Sequence, residues 1–121
     1  MALAAPLTPE TRGMIDAAAL AHMRADAILI NIGRGGLVDE PALIAALTAG
    51  RIGGAGLDVF AEEPLPAESP LWDLPNVLIT PHVAGANPAY NERATALFCD
   101  NLRRYLAGEP LQNRVDPQRG Y

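Results

Sequence analysis

The sequence contains no lysine, a single cysteine and only 5% aromatic residues in a length of 121. One cysteine excludes an internal disulfide framework and a cysteine-cluster zinc site. The nine basic residues are all arginines, and 14 acidic residues outnumber them, which leaves a net charge of −5. Neutralising nucleic-acid phosphates needs clustered cations, so no nucleic-acid partner is expected. Without lysine, a Walker-type phosphate loop is excluded as well.

Membrane and metal signals are also missing. No apolar run approaches the roughly 18–20 residues that span a bilayer, and no basic segment followed by an apolar one opens the chain. We therefore expect a soluble, cytoplasmic protein with no membrane partner. The two histidines are far apart and the carboxylates are scattered, so no metal site is expected. Half of the residues are apolar, which is enough to build the core of one domain.

Short apolar segments alternate with helical segments along the chain. Strands are predicted at residues 1–5, 27–32, 54–59 and 76–80. Helices are predicted at residues 17–24 after an Asp16 cap, between Asp39 and Gly50, and from an Asn87 cap to Gly108. The run at 27–32 is continuously apolar, which is typical of a strand covered on both faces. The alternation predicts an α/β fold, with a parallel sheet and helices on both faces.

Ligands of such sheets bind beyond the carboxyl ends of the strands. The residues at those positions are Pro6, Gly33, Arg34, Asp58 and His82. Arg34 lies in the stretch N-I-G-R-G-G, whose glycines allow a sharp turn and a close approach by a ligand. Its guanidinium can hold a carboxylate with two parallel hydrogen bonds. The alternative is an arginine that pairs on the surface with Asp39 or Glu40.

Acid–base candidates follow the later strands. His82 carries the side chain that titrates near neutral pH. Glu62 and Glu63 are adjacent, so spacing alone does not say which points inward, and a solvated acidic loop is the alternative. Asp58 closes a buried strand, where it either binds a ligand or caps a turn. An arginine, a glutamate and a histidine after strand ends would form an acid–base site with an anion clamp.

Three other residues are not expected to take part in catalysis. His22, in the first helix, is expected on the surface. Cys99 is flanked by apolar positions of the last helix, so we expect it to fill the core. Trp72 lies in a loop, where it either covers a cleft or anchors that loop.

Four ordered motifs resemble one family, the D-isomer-specific 2-hydroxyacid dehydrogenases. They are P-L-T-P-E-T-R-G at 6–13, L-I-N-I-G-R-G-G-L-V-D-E at 29–40, G-A-G-L-D-V-F-A-E-E-P-L-P at 54–66 and S-P-L-W-D-L-P-N-V-L-I-T-P-H-V-A-G at 69–85. The resemblance covers residues 1–108. It implies a parallel-sheet Rossmann-type half-domain with flanking helices and a long C-terminal helix. Residues 109–121 would be a polar C-terminal tail.

The resemblance also implies the chemistry, a reduction of a 2-oxo acid such as glyoxylate or hydroxypyruvate with NAD(H) or NADP(H). The family's catalytic arginine falls on Arg34, its glutamate on Glu63 and its histidine on His82. Arg34 would hold the substrate carboxylate, His82 would protonate the carbonyl oxygen, and Glu63 would orient His82 and keep it charged. Asp58 would accept a hydrogen bond from the nicotinamide carboxamide. The positions that match the family's cofactor contacts are Ala5, Pro6, Ile32, Gly33, Arg34, Asp58, His82, Val83, Ala84 and Gly85.

The chain departs from this family in what precedes the motifs. The family's substrate-binding domain and its G-x-G-x-x-G loop, which holds the pyrophosphate at a helix N-terminus, have no counterpart in the 121 residues. We therefore expect the C-terminal part of a cofactor domain and an isolated chain without turnover. The alternative is an inactive remnant or a binding half-domain. Its partner would be a second copy, as in a homodimer, or a complementary chain that supplies the missing half.

Overall fold

A computed structural model describes all 121 residues, and the chain forms two compact units, Met1–Ala84 and Gly85–Tyr121. The first unit contains four strands and two helices: β1 (Ala2–Leu3), α1 (Ala17–His22), β2 (Ile28–Asn31), α2 (Glu40–Thr48), β3 (Gly54–Leu57) and β4 (Val77–Ile79). Two single 3₁₀ turns, at Gly35–Leu37 and Pro70–Asp73, were not predicted. The second unit contains α3 (Tyr90–Ala107).

The four strands form one parallel sheet in the order β1-β2-β3-β4, which confirms the predicted fold class. Ile30 pairs with Ala2 on one side and with Gly56 on the other, and Gly56 pairs with Leu78. All the strands run in the same direction, so their carboxyl ends lie along one edge of the sheet. Each strand is shorter than the segment predicted for it, although single hydrogen bonds, such as the one from the Ile32 amide to the Leu3 carbonyl at 3.1 Å, continue past the strand ends.

The two helices of the first unit begin where their caps predict. The Asp16 side chain accepts from the Ala19 amide at 2.8 Å, and the Asp39 side chain accepts from the Ala42 amide at 3.1 Å. These bonds satisfy amides that the first helical turn leaves free. Gly50, just beyond α2, has a φ of 62°, a conformation that glycine adopts without steric cost.

The core of the first unit lies on one face of the sheet only. Leu29 is completely buried between the sheet and the packed helices α1 and α2, together with Leu20 and Leu43. Side chains of the opposite face are open, with Ile28 55% and Leu78 70% exposed. The expectation that both faces are covered is therefore wrong for residues 1–84, because both helices pack into the same core.

Helix α3 has no buried residue. It begins two residues later than predicted, because Asn87 forms a turn in which its side chain accepts from the Ala89 amide at 2.8 Å. It ends at Gly108 in the left-handed conformation, as predicted. Cys99 is half-buried, so the expectation that it fills a core is wrong. No helix has the length and apolar character needed to cross a membrane. The predicted boundary after residue 108 stays a prediction.

Candidate active site at the carboxyl edge of the sheet

The candidate residues follow β2, β3 and β4 at the shared carboxyl edge. The ladder continues briefly past the strands, because the Asp58 amide donates to the Asn31 carbonyl at 3.0 Å and the Thr80 amide donates to the Leu57 carbonyl at 2.9 Å. These two bonds place the segments after β2, β3 and β4 next to one another. The parallel sheet thus brings together side chains that lie far apart in the sequence.

His82 and Glu63 form a hydrogen-bonded pair. Nδ1 of His82 lies 2.7 Å from Oε2 of Glu63, and both side chains are partly open to solvent. The other oxygen of Glu63, Oε1, accepts from the Phe60 amide at 3.0 Å. Glu62 makes no hydrogen bond or ion pair, so Glu63 is the member of the adjacent pair that points inward.

The backbone of His82 is strained. Its φ is 53°, in the left-handed region that residues other than glycine rarely occupy. Such a conformation costs on the order of 1–3 kcal/mol and persists only where the surroundings enforce it. The Val83 side chain that follows is about half exposed.

Asp58 supplies part of those surroundings. Its residue is 3% exposed, and its carboxylate accepts three hydrogen bonds from the segment that carries His82. Oδ1 accepts from the Thr80 hydroxyl at 2.5 Å and from the Val83 amide at 2.9 Å. Oδ2 accepts from the Ala84 amide at 2.8 Å. Asp58 is therefore not a cap of its own turn, because its donors lie on a loop more than twenty residues away.

Both carboxyls have lowered pKa values. Burial is the largest effect on the pKa of Asp58 and raises it, but the Thr80 hydroxyl and the amides of Ala84 and Val83 together outweigh burial. The hydrogen bond from His82 is the main cause of the lowered pKa of Glu63, followed by the bond from the Phe60 amide. The positive charge of Arg34 lowers the pKa of Glu63 further. Both groups are therefore carboxylates at neutral pH.

Arg34 is exposed, and its guanidinium makes one bond, from Nη1 to the Gly33 carbonyl at 2.7 Å. It forms no ion pair with Asp39 or Glu40, so the alternative role of Arg34 in a surface ion pair is not observed. Asn31 fixes the turn beneath it. The Asn31 side chain donates to the Arg34 carbonyl at 3.0 Å and accepts from the Gly33 amide at 3.1 Å.

The glycines around Arg34 serve packing within the chain. A Cβ at Gly33 would lie 3.0 Å from the Ala5 carbonyl oxygen. A Cβ at Gly35 would lie 1.8 Å from the Phe60 carbonyl oxygen. These contacts explain Gly33 and Gly35 by packing, and the predicted close approach of a ligand stays a prediction.

A cavity of about 640 Å³ adjoins the His82–Glu63 pair. Its other walls are apolar or aromatic and come from Phe60, Pro64, Leu65, Trp72, Ile79 and Pro81. The Trp72 indole Nε1 donates to the Pro66 carbonyl at 2.9 Å, so Trp72 anchors its loop and also lines the cavity.

The remaining predicted cofactor positions, apart from Gly85, lie on the same edge within the first unit. Ala5 contacts Gly33, and Pro6 follows Ala5 with its carbonyl accepting from Thr11 Oγ1 at 2.8 Å. Ile32 is 47% exposed. Gly85 is the first residue of the second unit. The roles predicted for these residues stay predictions.

Sequence reasoning missed Asn31 and Thr80. Asn31 is 1% exposed, and it is a polar residue in the run at 27–32 that was described as continuously apolar, which is the signal that could have found it. Thr80 directly follows β4 and carries a hydroxyl next to Pro81, which is a weaker signal. Neither offers a titratable group, so a search for acid–base residues passes over both.

Comparisons with known proteins show the family and the fold of the chain. The family model described as "D-isomer specific 2-hydroxyacid dehydrogenase, NAD binding domain" matches residues 1–84. Glyoxylate/hydroxypyruvate reductase B of Pectobacterium carotovorum is 53% identical over 113 residues. That match covers 93% of this chain and 35% of the reductase, so the chain spans about a third of the length of the curated relatives it matches.

Two solved structures show the same fold. A D-isomer specific 2-hydroxyacid dehydrogenase from Xanthobacter autotrophicus Py2, in complex with NADPH and MES, superposes with a TM-score of 0.91 at 53% identity. The superposition covers 99% of this chain and 49% of that one. An NADPH-dependent glyoxylate/hydroxypyruvate reductase from Sinorhizobium meliloti, in complex with NADP and sulfate, gives a TM-score of 0.90 at 39% identity. Here 99% of this chain and 39% of the other are covered.

Proposed function

The chain belongs to the D-isomer specific 2-hydroxyacid dehydrogenase family, and from this premise we propose that it carries the proton-transfer residues of a nicotinamide-dependent 2-oxo acid reductase. The observation that carries the proposal is the 2.7 Å contact between His82 Nδ1 and Glu63 Oε2 at the carboxyl edge of the sheet. The substrate class is a small 2-oxo acid such as glyoxylate or hydroxypyruvate, as the names of the reductase relatives suggest.

Glu63 determines which ring nitrogen of His82 faces the substrate. An ionised carboxylate only accepts hydrogen bonds, so Nδ1 carries the proton of this contact. Nε2 is then the nitrogen that exchanges a proton with the substrate. The charged ring donates from Nε2 to the carbonyl oxygen during reduction, and the neutral ring accepts at Nε2 from the hydroxyl during oxidation.

Arg34 is proposed to hold the substrate carboxylate. Its guanidinium is exposed, always charged and free of carboxylate partners. Asn31 holds the backbone on both sides of the Gly33–Arg34 peptide, which restricts where the guanidinium can reach. A fixed carboxylate would place the substrate carbonyl for protonation by His82.

The residues of this edge fit a nicotinamide ring. The half-exposed apolar side chains of Ile32 and Val83 offer a surface for a flat ring, and they lie among the predicted contacts. When bound, the reduced nicotinamide supplies the hydride that the carbonyl carbon accepts. We propose either NAD(H) or NADP(H) as the cofactor. The position that determines the preference between them in the family has no counterpart in the 121 residues.

A chimeric reductase tests the proposal. Replacing the matching 113-residue stretch of the Pectobacterium reductase with this chain's stretch should preserve reduction of glyoxylate or hydroxypyruvate by NADH or NADPH. His82→Ala in the chimera should then lower kcat by about 10²- to 10⁴-fold, the usual contribution of a general acid, with cofactor binding retained. His22→Ala, on exposed α1, is the matched control. An active chimera that keeps its rate without His82 would refute the proton-donor role.

The 121-residue chain itself is expected to show no NADH-dependent reduction of glyoxylate, because it contains no G-x-G-x-x-G loop. Robust turnover would contradict this expectation. The alternative function as a binding half-domain, the homodimer or complementary chain as partner, and the cytoplasmic location are kept as proposals. Size-exclusion chromatography with light scattering of the purified chain distinguishes monomer from homodimer.

A further inference from the structure

The Asp58 carboxylate accepts hydrogen bonds from residues on both sides of His82 in the sequence. Its donors are Thr80, two residues before His82, and Val83 and Ala84, one and two residues after it. No other side chain makes hydrogen bonds to this loop except Glu63, which bonds the imidazole itself. The buried carboxylate is therefore the polar contact that joins the two flanks of the histidine.

We propose that Asp58 is a positioning residue for His82, holding residues 80–84 in the conformation that directs the imidazole onto Glu63. The need for such a contact is visible in the backbone, because His82 has a φ of 53° and lies on an exposed loop. Left-handed residues other than glycine persist where the surroundings determine their conformation.

A single buried segment aligns both members of the pair. Asp58 holds the His82 loop, and the Phe60 amide, two residues further along, holds Oε1 of Glu63. Asp58, Val59 and Phe60 are all buried, at 3%, 2% and 7% exposure. The distance between imidazole and carboxylate is thus determined by three consecutive residues that the core immobilises.

This inference rests on the proposed role of His82 but not on that predicted for Asp58 at the nicotinamide carboxamide. Oδ2 accepts one bond within the chain and retains a further lone pair, so the two roles are compatible. The test below observes the position of the imidazole without measuring turnover. A failed reductase assay and a failed positioning test are therefore distinguishable.

Nitrogen NMR of the histidine rings provides the test, because the chain has only two histidines. In alkaline buffer, ¹⁵N shifts should show a His82 ring protonated at Nδ1, as the Glu63 contact requires. Asp58→Asn puts an amide NH₂ where one of the carboxylate oxygens accepts, so at least one bond to the loop is lost. We expect the Nδ1–H pattern of His82 to be replaced by the mixture typical of a free imidazole.

Three controls define the result. His22, whose Nδ1 lies 2.7 Å from the Ala18 carbonyl, should keep its pattern in every variant. Asp26→Asn, which removes an exposed carboxylate paired with Arg24, should leave His82 unchanged. Thr80→Ser keeps the hydroxyl and should preserve the pattern, whereas Thr80→Val should weaken it.

An unchanged His82 pattern in folded Asp58→Asn overturns the proposal. If His22 changes as well, that variant has lost its fold, and Thr80→Val decides instead. A shifted His82 beside an unshifted His22 in Thr80→Val supports the proposal, and two unshifted rings overturn it.

Discussion

Gly35 lies against the backbone of another segment, and replacing it tests how the site is built. In Gly35→Ala the new Cβ would lie 1.8 Å from the Phe60 carbonyl oxygen, 2.0 Å from its carbon and 2.6 Å from the Ala61 nitrogen. Ordinary contacts between such atoms are about 3.5 Å, so the two segments must separate by more than about 1 Å. Backbone atoms cannot escape by a rotamer change, and we expect a cost near the upper end of the usual 1–3 kcal/mol for overpacking, about 3 kcal/mol.

For a chain of this size, about 3 kcal/mol corresponds to a fall in Tm of about 12 °C. Thermal unfolding followed by circular dichroism measures it. The same displacement moves the Phe60 amide that holds Glu63, so the Nδ1–H pattern of His82 should also be lost.

Gly36→Ala is the matched control, since Gly36 belongs to the same 3₁₀ turn. Its Cβ would meet Leu7 Cδ2 at 3.0 Å and Arg12 Nη1 at 3.3 Å, both far ends of flexible side chains. Reduced freedom of the unfolded chain offsets these contacts, and we expect a change within about 1 kcal/mol. If the melting temperatures of the two variants lie within about 2 °C of each other, the close backbone approach at Gly35 does not determine stability.

Two further predictions concern stability. Leu29→Ala should cost about 2–5 kcal/mol in chemical denaturation because Leu29 is fully buried, whereas Leu78→Ala, at a residue 70% exposed, should cost less than about 1 kcal/mol. If both substitutions lowered the unfolding free energy equally, the face of the sheet that carries Leu78 would be buried in solution. The pKa values of Asp58 and Glu63 are lowered on folding, so their contribution is complete above the ordinary values near pH 4 and is lost as the pH falls through the folded values. Between about pH 6 and about pH 3, the unfolding free energy of Asp58→Asn should therefore fall by less than that of the unsubstituted chain. An identical fall would show that Asp58 does not contribute to the pH dependence of stability.

Local interactions were predictable from the sequence. The caps at Asp16 and Asp39 act on amides three residues away, and the structure shows both. The parallel sheet follows from the alternation of short apolar runs with helices. Strand ends were predicted less well, because the regular pairing of β2 ends at Asn31 although the Ile32 amide still donates to the Leu3 carbonyl at 3.1 Å.

Composition and spacing did not predict interactions between distant segments, and only the family resemblance paired Glu63 with His82. Spacing alone could not choose between Glu62 and Glu63, because the choice depends on His82, 19 residues further along. Two of the three Asp58 contacts, which span 25 and 26 residues, involve backbone amides, and these leave no trace in residue identity. The prediction that helices cover both faces of the sheet was wrong for a related reason. The apolar residues of β2 indicate which faces avoid water, but not which element covers each face.

The candidate site depends on the core directly beneath it. Val59 lies between the residue that holds the His82 loop and the residue whose amide holds Glu63, and it is 2% exposed. A close-packed interior transmits a change of one methylene to its neighbours. Since both halves of the imidazole–carboxylate pair are attached to this segment, a core substitution that tilts it would separate them without touching either side chain. The geometry of the pair is therefore as much a property of the packing below β3 as of the polar residues at its surface.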